Sequence, residues 1–335
     1  AAPSHRVPVL AHLHGSPHFL RQLQPSLQGY SLITRSPAKV IIDTDPGVDD
    51  AIAILMALAS PGLEILGLTT VGGNVPLARS TRNGLALLEY AARSGVPLAR
   101  GSSRPLRGRF GYSFGFHGGS GLTRRLPNPK TAPVPTRAAD FIASRLRQNP
   151  GQITVIALGP LTNLARVLQR YPGALDQTAS LVVMGGSVEG VGNVTPYAEF
   201  NFYSDPAAAR LVMESDIPLT LVDLAACRQV FIRRAEAARL KSTNPLGNLA
   251  LQMLNNWFRR DPGRQEFAFY DPLALAVALD PEVVTTRQVA LTVEDANAGR
   301  LGETLVTRGK PSVALAQGVD SQRFFALFES LLELG

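Results

Sequence analysis

Cysteine is almost missing from this chain. One thiol, Cys227, stands in 335 residues, so no intrachain disulfide can form and stability must come from a packed core. Long hydrophobic runs are missing as well. No stretch of 18 uninterrupted apolar residues occurs, which argues against a membrane-spanning helix. Residues 1–39 lack the compact apolar segment of a secretory signal. Together with the lone cysteine, this leads to the expectation of a cytoplasmic protein with no membrane partner. Residues 1–39 also lack Asp and Glu; their Arg6, Arg21, Arg35 and Lys39 carry four of the net +7 charges and leave +3 for the remainder. The later arginines are dispersed rather than clustered with aromatics, so no nucleic-acid partner is expected.

What is present divides the chain in two. Residues 1–38 contain Pro3, Pro8, Pro17, Pro25 and Pro37 and no sustained periodicity, the pattern of a poorly ordered extension. His5, His12, His14 and His18 lie here and read as solvent-exposed polar residues rather than a metal site. From residue 39 to 335 one domain is expected. Val40-Ile41-Ile42 reads as a buried strand, followed by a turn and an apolar helix over 49–59. A strand over 63–71, a helix over 76–94 with Pro76 at its first turn, and a short strand at 97–99 follow. A Gly-rich loop spans 101–135. The alternation continues with helix 136–148, strand 153–157, a helix opened by Gly159-Pro160-Leu161-Thr162-Asn163, strand 181–184, helix 205–214 and strand 217–222. Apolar strands alternating with helices define an α/β fold, a single-domain open, mostly parallel sheet with helices on both faces. In such sheets ligands bind beyond the carboxyl ends of the strands.

The first strand runs directly into Asp43-Thr44-Asp45-Pro46-Gly47-Val48-Asp49-Asp50. A Pro-Gly turn with helix-capping Asp residues accounts for one carboxylate, or two. It does not account for four in eight residues. No Lys or Arg occurs between Lys39 and Arg79 to neutralise them. Like charges this close raise one another's pKa unless a cation sits among them, and a hard divalent ion with oxygen ligands meets that need. The spacing does not fit the twelve-residue EF-hand loop. A phosphatase of the haloacid-dehalogenase type, with Asp43 as nucleophile and Asp45 beside it, is the rival reading. It leaves Asp49 and Asp50 without a task, and no later Gly-Asp-x-x-x-Asp cluster completes its magnesium site.

Asp43 to Ala51 resembles the amino-terminal fingerprint of the inosine-uridine preferring nucleoside hydrolases. Gly72-Gly73-Asn74 after the second strand agrees in type and order, as does Gly159 to Ala165 after the central strand. So do Met184-Gly185-Gly186, Gly192-Asn193 and Ala198-Glu199-Phe200-Asn201. The resemblance runs from about Lys39 to the C-terminus. It implies a Rossmann-like hydrolase that cuts the N-glycosidic bond of ribonucleosides, with Ca2+ as cofactor and a homodimeric or homotetrameric assembly. It further implies that Asp45, Asp50, Asp271 and the backbone carbonyl of Leu158 ligate calcium, and that Asp45 takes a proton from the attacking water. Asp49 and Asn201 are expected at the 2′ and 3′ hydroxyls, Asn193 and Glu199 at the 5′ end, and Asn74 beside water or ribose. In an extended segment Phe200 would point away from Glu199 and Asn201.

The sequence departs from the family at one position. Many members carry His immediately before the Asp at position 271; here that residue is Tyr270, and no histidine follows His117. Three candidates for activating the leaving base stay open: Tyr270 itself, His117 from the Gly-rich loop, or stacking by Trp257 or Phe258. A non-catalytic nucleoside- or ribose-binding protein is the third functional reading.

Overall fold

The computed structural model describes residues 36–335. The expected extension and its four histidines therefore lie outside the described residues. Strand β1, Ala38–Thr44, is buried from Val40 to Thr44, because its apolar residues serve two faces at once. Val40 and Ile42 join one hydrophobic cluster and Ile41 the other, the alternation that a pleated strand imposes.

Eleven further strands follow: β2 Leu63–Thr70, β3 Leu98–Arg100, β4 Val134–Arg137, β5 Ile153–Ala157, β6 Ser180–Met184, β7 Leu219–Val222, β8 Phe231–Arg233, β9 Glu266–Ala268, β10 Val284–Val293, β11 Thr304–Thr307 and β12 Val313–Val319. Nine of them join β1 in one sheet, in the order β11-β10-β12-β7-β6-β5-β1-β2-β3-β4, while β8 and β9 pair separately. Every neighbouring pair from β12 to β4 is parallel. Strand β10 runs antiparallel to both β12 and β11. Pro37–Gly335 is one compact unit. The α/β, mostly parallel architecture expected from the sequence is the architecture observed. Among the described residues no helix is long and apolar enough to cross a membrane.

Strand order reverses between β1 and β5. Chain order runs outward to β2, β3 and β4 on one side and to β6 and β7 on the other. That reversal opens a crevice at the carboxyl ends of β1 and β5, the place where such sheets bind ligands. The helix leaving β1, Val48–Ala59, is buried from Val48 to Leu58. It packs against the helices Tyr270–Leu279, Pro245–Arg259 and Ser321–Leu332, so its all-round apolar sequence has a partner on each side.

Element boundaries differ in places. The helix expected over 76–94 is Leu77–Tyr90. It stops early because Ala92 adopts φ 54°, a left-handed conformation that ends helical propagation.

Candidate active site

The acidic floor is built at the ends of β1, β2 and β5. Asp45 is wedged between two glycines from the other strand ends. A Cβ on Gly73 would lie 2.0 Å from Asp45 Oδ2, and one on Gly159 would lie 2.6 Å from Oδ1. Glycine is thus required at both positions by close approach. The Asn74 N–H donates to Asp45 Oδ2, whereas Oδ1 is buried with no hydrogen-bond partner. Asp50, in the first helical turn, is fully engaged. Its Oδ1 accepts from Thr44 Oγ1 and Asp45 N–H, and its Oδ2 accepts from Gly47 N–H at 2.9 Å and Asn74 Nδ2 at 2.9 Å. The capping role that the turn alone suggested therefore falls to Asp50.

Asp271 enters from the first turn of Tyr270–Leu279, the helix packed against Val48–Ala59. Carboxylate oxygens of Asp49, Asp50 and Asp271 lie within 4.8 Å of one another, all buried. Ligands sharing one calcium at roughly 2.4 Å each can be no farther apart than about that distance. His117 Nδ1 lies 3.7 Å from an Asp49 carboxylate oxygen, but its ring is neutral and supplies no compensating charge. Burial raises the pKa of Asp45 and Asp271 well above the carboxylate range, and the Asp50 charge adds to both. Burial, then the Asp49 charge, raises that of Asp50 as well. Hydrogen bonds from Thr44 and Gly47 work against the rise without cancelling it. The residues fit a divalent cation on these grounds: a tight set of hard oxygen donors, a buried unpartnered oxygen on Asp45, and negative charge without compensation.

The residues expected at ribose are distributed unevenly. Asn74 sits in the floor through its bonds to Asp45 and Asp50. Asn201 Nδ2 donates to the Leu158 carbonyl at 2.8 Å and to the Met184 carbonyl at 3.3 Å, bridging the ends of β5 and β6. Leu158 itself continues β5, its N–H donating to the Asp43 carbonyl. Glu199 has the expected extended backbone while Phe200 and Asn201 are helical, contrary to the expectation for 199–201. It is the N-cap of the helix Phe200–Ser204 and accepts from Asn201 N–H, Phe202 N–H and Gly186 N–H. An acidic side chain satisfying free helix N–H groups outweighs the alternation read from the sequence. Burial pushes Glu199 up to about 7 despite these bonds. Asn193 is exposed, its backbone N–H bonded to the Ala198 carbonyl; its side chain is not gathered with the others.

The residues expected on the base side come from elsewhere in the chain. His117 closes the helical turn Phe114–His117 and is 3% exposed, so the Gly-rich loop buries it. Gly47 permits this approach: a Cβ there would lie 2.5 Å from His117 Nδ1. Nδ1 accepts from Val48 N–H at 3.1 Å, which assigns the ring proton to Nε2. Burial lowers the His117 pKa to about 4, so the ring is neutral at ordinary pH. Tyr270 is pushed up to about 12 by burial, with smaller contributions from Cys227 and Asp49, and keeps its proton. Trp257 and Phe258 lie in the hydrophobic core. Trp257 meets Phe116 at 5.1 Å and Phe267 at 4.9 Å, both edge-on, while Phe116 meets His117 at 4.8 Å. The indole thus stands one ring behind His117.

Two further buried groups beside the site had no role in the family reading. Asp43 Oδ1 accepts from Thr69 Oγ1 and from Asn163 Nδ2 at 2.7 Å, and Asn163 also accepts from Ser102 N–H. The excess of carboxylates in the turn was the signal for Asp43. Cys227 lies against the Tyr270 carbonyl, 3.9 Å away, with burial and the charges of Asp223 and Asp271 raising its pKa. Nothing local in the sequence points to it.

The profile described as inosine-uridine preferring nucleoside hydrolase matches residues 40–326. The chain belongs to that family. It is 35% identical to a pyrimidine-specific ribonucleoside hydrolase RihA of Salmonella paratyphi C over 306 residues, 88% of this chain and 98% of the relative. It is 37% identical to uridine nucleosidase 1 of Arabidopsis thaliana over 278 residues, 81% of this chain and 82% of that protein. A solved plant nucleoside hydrolase superposes with a TM-score of 0.83 at 33% identity, covering 88% of this chain and 99% of its own. The purine-preferring ribonucleoside hydrolase from Gardnerella vaginalis superposes with a TM-score of 0.81 at 29% identity, covering 88% and 98%. The nucleoside hydrolase is thus an N-ribohydrolase acting on ribonucleosides, and the phosphatase reading falls away. Its Asp cluster is able to hold a metal ion.

Proposed function

We propose that this hydrolase is calcium-dependent and releases free base from ribonucleosides, with uridine the preferred substrate and inosine a second. The observation carrying the metal is the buried Asp49, Asp50 and Asp271 cluster beside the unpartnered Asp45 Oδ1. Asp50 and Asp271 would hold calcium together with Asp45, Asp49 and the Leu158 carbonyl. Bound calcium would balance the clustered charge and acidify water in its shell. The free oxygen of Asp45 is suited to take the proton of the attacking water. Asp49 and Asn201 would bind the 2′ and 3′ hydroxyls, with Asn74 beside them and Glu199 and Asn193 toward the 5′ end. Buried carboxylates favour positive charge developing on the sugar, as in other glycosyl transfers.

On the base side, neutral His117 with its proton on Nε2 and protonated Tyr270 are two hydrogen-bond donors. Donors suit the carbonyl oxygens of uracil and hypoxanthine, and the names of the two relatives above point to the pyrimidine. Trp257 and Phe258 would shape the wall behind them. The lone buried Cys227 suits a reducing compartment, and a cytoplasmic homodimer or homotetramer completes the proposal. The test is to incubate the full chain with calcium and uridine, inosine, adenosine or cytidine, measuring released base and reducing sugar. Release from uridine and inosine ahead of adenosine and cytidine is expected. Tight binding without release would favour the non-catalytic reading, to which Tyr270 lends weight.

A further inference from the structure

The turn that carries His117 is not held by its own sequence. Phe114–His117 is four residues long, with Gly115 inside it and Gly118 and Gly119 directly after. A single turn with this much glycine cannot support itself.

It is fastened from outside by Arg264, in the connection between the helix Pro245–Arg259 and β9. The Arg264 guanidinium donates to the carbonyls of Gly115 at 2.9 Å and Phe116 at 3.5 Å, and to the Trp257 carbonyl at 3.1 Å. It also lies 4.2 Å from the centre of the Trp257 ring and 5.5 Å from that of Phe116. One cation thus grips the backbone of two segments and the faces of two rings.

Arg264 is itself anchored. Its carbonyl accepts from Arg234 Nε at 2.9 Å and Nη2 at 2.7 Å, and the Asp261 carboxylate lies 3.6 Å from its Nε. Its side chain is only 16% exposed, so the contacts are sheltered from competing water. From this anchor the contact path runs through Phe116 to the edge of the His117 ring, 4.8 Å between ring centres.

We propose that Arg264 is a positioning residue for His117: it locks the Phe114–His117 turn so that the imidazole stays against Val48 N–H and faces the nucleoside base. The inference rests on the reading of His117 as a base-side group. Arg264 acts on the base and not on calcium or ribose, because its contacts are with the loop and the aromatic wall. Lysine cannot replace it, since an ammonium does not span three carbonyls and two ring faces in one fixed plane.

The test is a double-mutant cycle on the full chain, with kcat and KM measured on uridine and calcium affinity measured by titration calorimetry. His117→Ala and Arg264→Ala are each expected to lower kcat/KM by about 10-fold or more, with calcium affinity within about 2-fold of the parent. In the His117→Ala background, Arg264→Ala is expected to cost less than about 2-fold further, because residues acting through one contact are not additive. Arg264→Lys is expected to recover little. Losses that multiply independently, or an equal loss of calcium affinity, would overturn the positioning role while leaving His117 in place. Normal activity of His117→Ala would remove the base-side reading and the inference with it. Should Arg264→Ala fail to fold, Arg264→Lys carries the same cycle.

Discussion

The acidic floor and the wall proposed to face the base are made by opposite means. The floor hangs on the carboxyl ends of central parallel strands. Asp45, Asp49 and Asp50 lie within a stretch of six residues, and glycines at the neighbouring strand ends leave room for Asp45. The wall is assembled from a Gly-rich loop, the carboxyl end of one helix and the amino end of another. His117, Trp257 and Tyr270 reach it from distant parts of the chain. A floor set by sheet register is fixed wherever the sheet folds. A wall set by loop and aromatic packing is free to vary, and it is the part that would distinguish one base from another. Substitutions should therefore divide cleanly: floor variants lose turnover with every nucleoside, and wall variants change the ranking of nucleosides.

The sharpest form of this division compares sugars. A floor that pairs both ribose hydroxyls leaves its own polar groups unpaired with 2′-deoxyuridine, so kcat/KM should fall by about 10⁴-fold relative to uridine. Comparable rates would remove Asp49 and Asn201 from the ribose. Asp45→Asn should lower kcat by on the order of 10²–10⁴-fold on uridine and inosine alike, with circular dichroism and melting largely intact. Near-normal turnover would take the proton-accepting role away from Asp45. On the wall, Tyr270→His should raise turnover by up to about 10²-fold if protonation of the leaving base limits the reaction. Unchanged or lower turnover would count against that limit.

A smaller effect concerns stability. Burial pushes Asp43 and Glu199 up to about 7 and Asp49 up to about 6 in the folded protein, above ordinary unfolded values near 4. The folded chain then binds more protons than the unfolded one between those limits. This contribution to stability is fully present below about pH 4 and is lost as pH rises through 6 to 7. Calcium would offset the charge exposed at high pH. The rise in melting temperature on adding calcium should accordingly be larger at pH 8 than at pH 5; an equal rise at both would contradict it.

Much of the floor could be read from the sequence, because its signal is local. Four carboxylates in eight residues with no cation before Arg79 point to a cation site without knowledge of the fold. The parallel sheet followed from the alternation of apolar strands and helices. The antiparallel edge of β10 and β11 did not, since the side-chain pattern of a strand does not encode the direction in which it pairs. Glu199 is extended as expected, but Phe200 and Asn201 turn into a helix, because capping depends on where the next helix begins. The wall was the least legible. Nothing in the residues around Arg264 marks it as the partner of a loop far earlier in the chain, and Cys227 meets Tyr270 through tertiary packing alone.

The comparison rests on the floor being a calcium site that every turnover needs. The direct measurement is base release from uridine by chelator-treated protein as calcium is titrated back at fixed pH. The account predicts no release without metal and full recovery at about one calcium per chain. Full turnover with chelator still present would contradict it.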